Sequence, residues 1–309
     1  MRPRALITGG AGFIGGHLAH ALLADGWRVD VVDDLSTGSS ANVPPQAELI
    51  QLDLGARGAV DRLPAVRYDA ICHLAGQSSG EKSFDDPERD FDANARSAVA
   101  LAVWAGRHGI PLLVHASSMG VYGDVRSHPV DETTEPRPVS FYGASKLAAE
   151  RALAVTPNVR GISLRMFSIY GPGQDLDEMR QGMVSIFLAM ALRGEPIEVR
   201  GPLDRGRDFV YVEDCVEAWL RALMSSDASG PINIGTGVCT SIRLLLSEML
   251  EQLGVPEHPI RELEVRTPGD QFALSASTRR AEETLGWKAR VDLRTGLQAM
   301  IGWAGELDS

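Results

Sequence analysis

The chain has 309 residues, 44% of them hydrophobic, with a formal net charge of −11 and a pI near 5.1. This is enough apolar material for one large α/β domain, or for a nucleotide-binding domain plus a smaller lobe. The acidity excludes nucleic acid and anionic membrane as main partners, because both reward a basic face.

The chain opens with Met1-Arg2-Pro3-Arg4, but the apolar run that follows stops at Gly9, too soon for a signal-peptide core. No apolar run approaches the ~20 residues of a membrane span. To about residue 165, short apolar runs at 5–7, 29–32, 49–52, 70–74, 112–115 and 161–164 alternate with helix-length segments. That alternation predicts a parallel sheet with helices on both faces, which binds ligands at the C-terminal ends of its strands. The long helices are expected at 84–108 and at 140–155, the second with Ser140 as N-cap. After residue 166, Gly171-Pro172-Gly173 and Gly201-Pro202 break the chain around a helical stretch at 180–193. Strands are expected at 209–212 and 231–234 around a helix at 213–224. The fold class is therefore α/β, a Rossmann-type doubly wound parallel sheet with a smaller, mixed α/β C-terminal lobe for substrate. The nucleotide domain is expected at 1–166, with 207–235 partly returning to it, and the substrate lobe at 167–206 and 236–309. Cys72, Cys215 and Cys239 are far apart and form no CxxC pair, so neither a disulfide framework nor a metal site is suggested. A reducing cytoplasm fits them.

Gly9, Gly12 and Gly15 lie between the first strand and a helix, and Gly10 opens a second glycine pattern with Gly12 and Gly15. Small residues there let the backbone approach a pyrophosphate, whose charge the helix N-terminus stabilises. Asp33 lies 18 residues beyond Gly15 at the end of the second strand. A carboxylate there accepts from adenosine ribose hydroxyls and repels a 2′-phosphate, which favours NAD over NADP. Asp53, ending the third strand, suits either the adenine amino group or a plain turn. Leu74-Ala75-Gly76 suits either close cofactor passage or an ordinary strand-to-loop turn. Asn94 is either a main-chain partner near the site or a solvated helix residue.

Ser117-Ser118 ends the fifth strand, where a hydroxyl can bond a substrate hydroxyl and pass its proton on. Tyr142 and Lys146 are four apart, on one helix face. A tyrosine has a pKa near 10, so acting as a base near pH 7 means favouring its phenolate by roughly 3 units, about 4 kcal/mol. A neighbouring ammonium, helped by a cationic nicotinamide ring, supplies charge of the right sign in a water-poor pocket.

Thr8-Gly9-Gly10-Ala11-Gly12-Phe13-Ile14-Gly15, Asp33, His73-Leu74-Ala75-Gly76, Ser117-Ser118-Met119-Gly120-Val121-Tyr122-Gly123, Tyr142-Gly143-Ala144-Ser145-Lys146, Leu164-Arg165-Met166-Phe167, Tyr170-Gly171-Pro172 and Arg207-Asp208-Phe209-Val210-Tyr211-Val212 occur in that order. Over essentially its whole length the chain resembles the extended short-chain dehydrogenases/reductases, in the nucleotide-sugar epimerase/dehydratase group similar to UDP-glucose 4-epimerase. The resemblance implies a tightly held NAD that takes a hydride from a sugar carbon and returns it, with Tyr142 as base, Lys146 on the nicotinamide ribose and Ser118 bridging to the sugar. It further implies cofactor contacts from Gly9, Gly12, Phe13, Ile14, Gly15, Asp33, Asp34, Thr37, Gly38, Asp53, Leu54, Leu74, Ala75, Gly76, Asn94 and Ser117. Substrate contacts are implied for Ser78, Phe167, Ser168, Met183, Val184, Arg207 and Asp270 as well as Ser118 and Tyr142. A homodimer through 84–108 and the Tyr/Lys helix is implied too.

Relatives that dehydrate carry an Asp-Glu pair after the active-site hydroxyl, whereas here Met119 and Gly120 stand there and neither transfers a proton. The expected reaction is therefore 4-epimerisation of a UDP-hexose or UDP-hexuronate. A dehydratase or decarboxylase with another acid, a 4-ketosugar reductase and a non-catalytic dinucleotide sensor are its rivals. Ser168, Gly182 and Thr267 replace residues frequent in hexose 4-epimerases, and Ser168 also resembles the hydroxyl that faces a carboxylate in uronate 4-epimerases. Arg207 is retained and suits a diphosphate. Arg180 and Arg266 either compensate for the replacements or are solvated.

Overall fold

The structure, a computed structural model, describes residues 2–125, 128–265 and 267–307. β1 (Arg4–Thr8) leads through α1 (Phe13–Ala24) to β2 (Arg28–Asp33), then β3 (Glu48–Gln51) and β4 (Ala70–His73). Short α2 (Pro87–Phe91), a π turn at 92–96 and α3 (Ser97–Arg107) precede β5 (Leu112–Ser118), α4 (Phe141–Ala154) and β6 (Arg160–Met166). The expected single helix over 84–108 is thus broken. Asp86 accepts from the Arg89 nitrogen as an N-cap and Pro87 takes the first helical position, so the segment restarts there rather than running through.

The chain then forms β7 (Ser168–Tyr170), α5 (Met183–Leu192), β8 (Ile197–Arg200), β9 (Gly206–Arg207), β10 (Phe209–Tyr211), α6 (Val212–Met224) and β11 (Gly230–Ile234). It ends with β12 (Thr240–Ser241), α7 (Ile242–Gln252), β13 (Ile260–Leu263), α8 (Arg279–Leu285) and α9 (Leu293–Leu307). Seven parallel strands make the central sheet in the order β11-β6-β5-β4-β1-β2-β3. Of the two strands expected around α6, only β11 enters that sheet, beside β6, while β10 pairs with β7. The cause is a departure at Phe167, whose nitrogen donates to the Ile234 carbonyl, after which the Ser168 nitrogen turns to Asp208.

Side chains alternate across the sheet. Ala5, Ile7, Cys72 and Val114 join the larger core with α1, α6 and the C-terminal half, while Leu6, Ile71 and Leu113 join a second core with α3. Both faces are covered over most of the sheet, which is why its inner strands read as largely apolar runs, while the edge strand β3 is exposed at Glu48 and Gln51. The chain reverses strand order between β1 and β4, and the C-terminal strand ends beside that switch point hold the candidate site.

Candidate functional site

The turn after β1 is built from backbone packed on backbone. A Cβ on Gly9, whose φ is +71°, would lie 2.5 Å from the Ala75 nitrogen, and one on Gly15 would lie 2.1 Å from the Gly9 carbonyl. Gly38 seats the segment after β2 on the same turn, since its Cβ would stand 2.9 Å from Ala11 backbone. Gly12 caps α1 without a side-chain oxygen, and the first turn of that helix has no acid. Its first N–H groups therefore suit an external anion. These features fit the pyrophosphate of a dinucleotide.

Asp33 is buried at the end of β2, where Oδ2 accepts from the Ala11 nitrogen at 3.0 Å and Oδ1 from the Leu35 nitrogen at 2.9 Å. Burial raises its pKa against the lowering of those two bonds. Asp34 accepts from Ser36, and Arg89, a cation that no motif in the sequence singles out, reaches both Asp34 and Asp53. Asp53 also caps its own turn at the Gly55 nitrogen. The Leu54 side chain belongs to the second core, so any contribution to a cofactor falls to its main chain. Phe13 and Ile14 pack half-buried on the larger core; Thr37 lies in the exposed segment between Asp34 and Gly38.

Ser118, Tyr142 and Lys146 come together at the end of β5 and the start of α4. The Ser118 hydroxyl accepts from the Gly120 nitrogen at 3.1 Å and lies within hydrogen-bonding reach of the Tyr142 phenol. Lys146 Nζ stands 5.7 Å from the Tyr142 ring centroid. Gly76 keeps the approach open, because a Cβ there would meet Asn94 Oδ1 at 2.2 Å and Lys146 Nζ at 3.3 Å. Asn94 Oδ1 is buried and has no partner, whereas its Nδ2 donates to Asp90 and Ser145. The electrostatics differ from the expectation that the lysine lowers the phenol. Burial pushes Tyr142 up to about 12 against a lowering by Ser118, and burial pushes Lys146 down to about 8. In the chain alone, desolvation is the largest influence on both groups, and the opposing influences come from Ser118 on the phenol and Asp90 on the ammonium.

Ser117 is turned the other way. Its hydroxyl donates to Glu150 Oε1 at 2.5 Å in a buried cluster where Glu150 pairs with Arg165, so only its main chain faces the site. Leu74 and Ala75 follow β4 with their nitrogens donating to Thr8 O and Oγ1.

On the substrate side, Ser168 is half-buried at the start of β7, Met183 opens α5, and Ser78 Oγ accepts from Gln181 Nε2 at 2.6 Å. Phe167 and Val184 are core residues. Arg180 ties the segment after β4 to the approach to α5 through Asp85 and Glu81, so it is a clamp between loops. Arg266 lies outside the described residues. Arg207, expected on the diphosphate, ends β9. It is 2% exposed, pairs with Asp270, and donates to the carbonyls of Gly206, Gln271 and Phe272, so its Nη donors are spent within the protein. Arg205 shares Asp270 and keeps a buried Nε without a partner. No spacing signal in Asp204-Arg205-Gly206-Arg207 separates those two arginines. Among the described residues no group of three or more His, Cys, Asp or Glu is arranged to hold a metal, and no helix is long and apolar enough to cross a membrane.

Residues 5–235 match the NAD dependent epimerase/dehydratase family. The solved UDP-glucose 4-epimerase of Thermotoga maritima with UDP-glucose is 31% identical, superposes with a TM-score of 0.93, and is matched over 99% of this chain and 100% of its own. The structure of MoeE5 in complex with UDP-glucuronic acid and NAD is 32% identical with a TM-score of 0.88, covering 98% and 99% of the two chains. UDP-glucuronic acid decarboxylase 6 of Arabidopsis thaliana is 36% identical over 96% of this chain and 87% of its own. The chain belongs to the NAD dependent epimerase/dehydratase family.

Proposed function

We propose that this family member is an NAD-dependent nucleotide-sugar 4-epimerase acting on a UDP-hexose or UDP-hexuronate through a 4-keto sugar. The observation that carries the reading is the meeting of Ser118, Tyr142 and Lys146 beside Met119 and Gly120, which offer no further acid or base. NAD, when bound, supplies the acceptor and then the donor of hydride at sugar C4. Tyr142 takes the C4 hydroxyl proton, with Ser118 between phenol and sugar, and gives it back to the C4 oxygen once the 4-keto sugar has turned its opposite face to the cofactor. Lys146 holds positive charge beside the phenol. The glycine turn, Asp33 and the start of α1 would hold the dinucleotide. The Asp33 carboxylate disfavours a 2′-phosphate.

The division into a nucleotide unit (1–166 with part of 207–235) and a substrate lobe belongs to the same reading. So does a cytoplasmic homodimer. Val99 and Val103 on α3, together with Phe84, Phe91 and Phe141, are exposed on the side of α3 and α4, and Phe84 meets Phe141 edge-on at 5.5 Å. Such a face suits a second copy.

Decarboxylation of a UDP-hexuronate, the reaction in the Arabidopsis relative's name, is the second reading. It requires a proton at C5 once carbon dioxide leaves the 4-keto acid, and Met119 and Gly120 supply none. Incubation with UDP-glucose, UDP-galactose and UDP-glucuronate, followed by mass and C4 configuration, separates the two. A C4 epimer at constant mass that Tyr142→Phe no longer makes supports the proposal. Loss of 44 mass units supports decarboxylation, and loss of 18 supports dehydration.

A further inference from the structure

Asp90 is fully buried in α2, at the last turn before the π turn that carries Asn94. Its carboxylate accepts from Ser145 Oγ at 2.6 Å, Gln77 Nε2 at 2.8 Å and Asn94 Nδ2 at 3.2 Å, all neutral donors. Ser145 directly precedes Lys146 in α4, and its hydroxyl also lies 3.0 Å from the Tyr142 carbonyl. Lys146 is 4% exposed. Among the described residues neither Asp90 nor Lys146 makes an ion pair within 4.0 Å, yet both are withdrawn from water. An isolated buried charge is expensive and normally neutralises itself, so two opposite ones in adjoining elements must be considered together.

The other titratable groups facing Lys146 are His73 on β4, His115 on β5 and Tyr142 on α4. Both histidines are held neutral by burial, His73 down to about 3 and His115 well below its ordinary range. The phenol is neutral as well. That leaves Asp90 as the negative charge acting on the ammonium, and its field opposes the lowering of Lys146 while it opposes ionisation of Tyr142.

We propose that Asp90 is a buried counter-charge that keeps Lys146 an ammonium, acting as a positioning residue through Ser145 on the helical turn that carries Tyr142 and Lys146. It touches no reacting atom. The inference rests on Lys146 belonging to the site, as read above, but not on epimerisation as the reaction. The family pattern of Tyr142 and Lys146 says nothing of it, and Asp90 stands in Asp85-Asp86-Pro87-Glu88-Arg89-Asp90-Phe91-Asp92, a run that reads as a solvated helix face.

The chain has only three lysines, Lys82, Lys146 and Lys288, so NMR of the full-length protein labelled with 13C at lysine Cε resolves each titration. In the wild type, Lys146 should titrate well below the other two. Asp90→Asn should move it down by a further pH unit or more, with Lys82 and Lys288 unmoved, and Asp90→Glu should restore the wild-type curve. In the NAD-loaded enzyme both limbs of the kcat/KM profile should move to lower pH, because the same carboxylate disfavours the Tyr142 phenolate. A purely structural role would lower the rate at every pH without moving either limb. If Asp90→Asn does not fold, Asp90→Ser, a smaller neutral side chain, carries the same expectation. A Lys146 titration unchanged in a folded neutral variant overturns the proposal. So does failure of both neutral variants to fold while Asp90→Glu folds, since the carboxylate would then serve folding alone. The titration needs no substrate, so it can fail while epimerisation stands, and the reverse.

Discussion

Gly9→Ala tests whether the glycine turn is fixed by its own backbone packing. The residue has φ +71°, and its new Cβ would stand 2.5 Å from the Ala75 nitrogen, 2.7 Å from the Leu74 carbonyl carbon and 2.8 Å from the Ala75 Cα. None of these is the end of a flexible side chain, so the end of β4 must move away. Left-handed backbone costs a non-glycine residue about 1–2 kcal/mol, and overpacking adds about 1–3 kcal/mol. The sum, about 2–5 kcal/mol, corresponds to a Tm lower by roughly 4–10 °C in a chain of this size. The same displacement shifts Leu74-Ala75-Gly76, so NAD affinity should fall at least about tenfold, or 1.4 kcal/mol. Gly26→Ala is the control, with φ +81° but nothing within 4 Å of its Cβ. It incurs the backbone cost alone and should bind NAD as the wild type does. Thermal unfolding with titration calorimetry of NAD reads both effects, and a Gly9→Ala protein with wild-type Tm and affinity would refute the packing argument.

Two further predictions concern buried charge. His115 has no partner at either ring nitrogen and lies 5.6 Å from the His73 ring, with its pKa held well below the ordinary value by burial. The unfolded chain takes up a proton near pH 6.5 that the folded chain refuses, so stability present above that pH is lost as pH falls. At pH 5 the loss is about 2 kcal/mol for one such histidine. His115→Phe should be close to neutral in urea unfolding at pH 7 and stabilising by about that amount at pH 5; equal shifts at both pH values would show that His115 does not titrate on unfolding. Arg207→Ala removes one of the two arginines on Asp270 and the side-chain donor to the Gln271 carbonyl, while the Phe272 and Gly206 carbonyls keep backbone donors. A loss of about 1–3 kcal/mol in stability, since Asp270 keeps Arg205, with substrate and NAD binding both weakened, is expected; wild-type stability with a raised KM for the nucleotide sugar would return Arg207 to direct diphosphate binding.

Most strands of the central sheet were legible because they are buried on both faces and so read as apolar runs between breaks, and the exposed edge strand β3 still carries Leu49-Ile50. The Tyr142–Lys146 face was legible because helical spacing alone fixes it. The break in 84–108 was also written in Asp86-Pro87, a cap and first-position proline inside an otherwise helical stretch. The pairing of β10 with β7 was not legible, since three-residue strands take their partner from how the chain leaves Phe167, a tertiary fact. Nor was the fate of charged side chains. Arg207 reads as a ligand for phosphate, and no spacing shows that Asp270, 63 residues away, pairs with it. Ser117 and Ser118 are adjacent in sequence, but strand alternation sends one hydroxyl to Glu150 and the other to Tyr142. The rise of Tyr142 to about 12 depends on burial that spacing does not report.

The most direct test of the central claim is turnover of a UDP-hexose deuterated at C4 by the NAD-loaded enzyme, with the product analysed by mass and by NMR at C4. The account predicts an inverted C4 that keeps its deuterium at unchanged mass, with no net NADH. An inverted product that has exchanged its label with solvent, or any product lighter by 18 or 44 mass units, would contradict it.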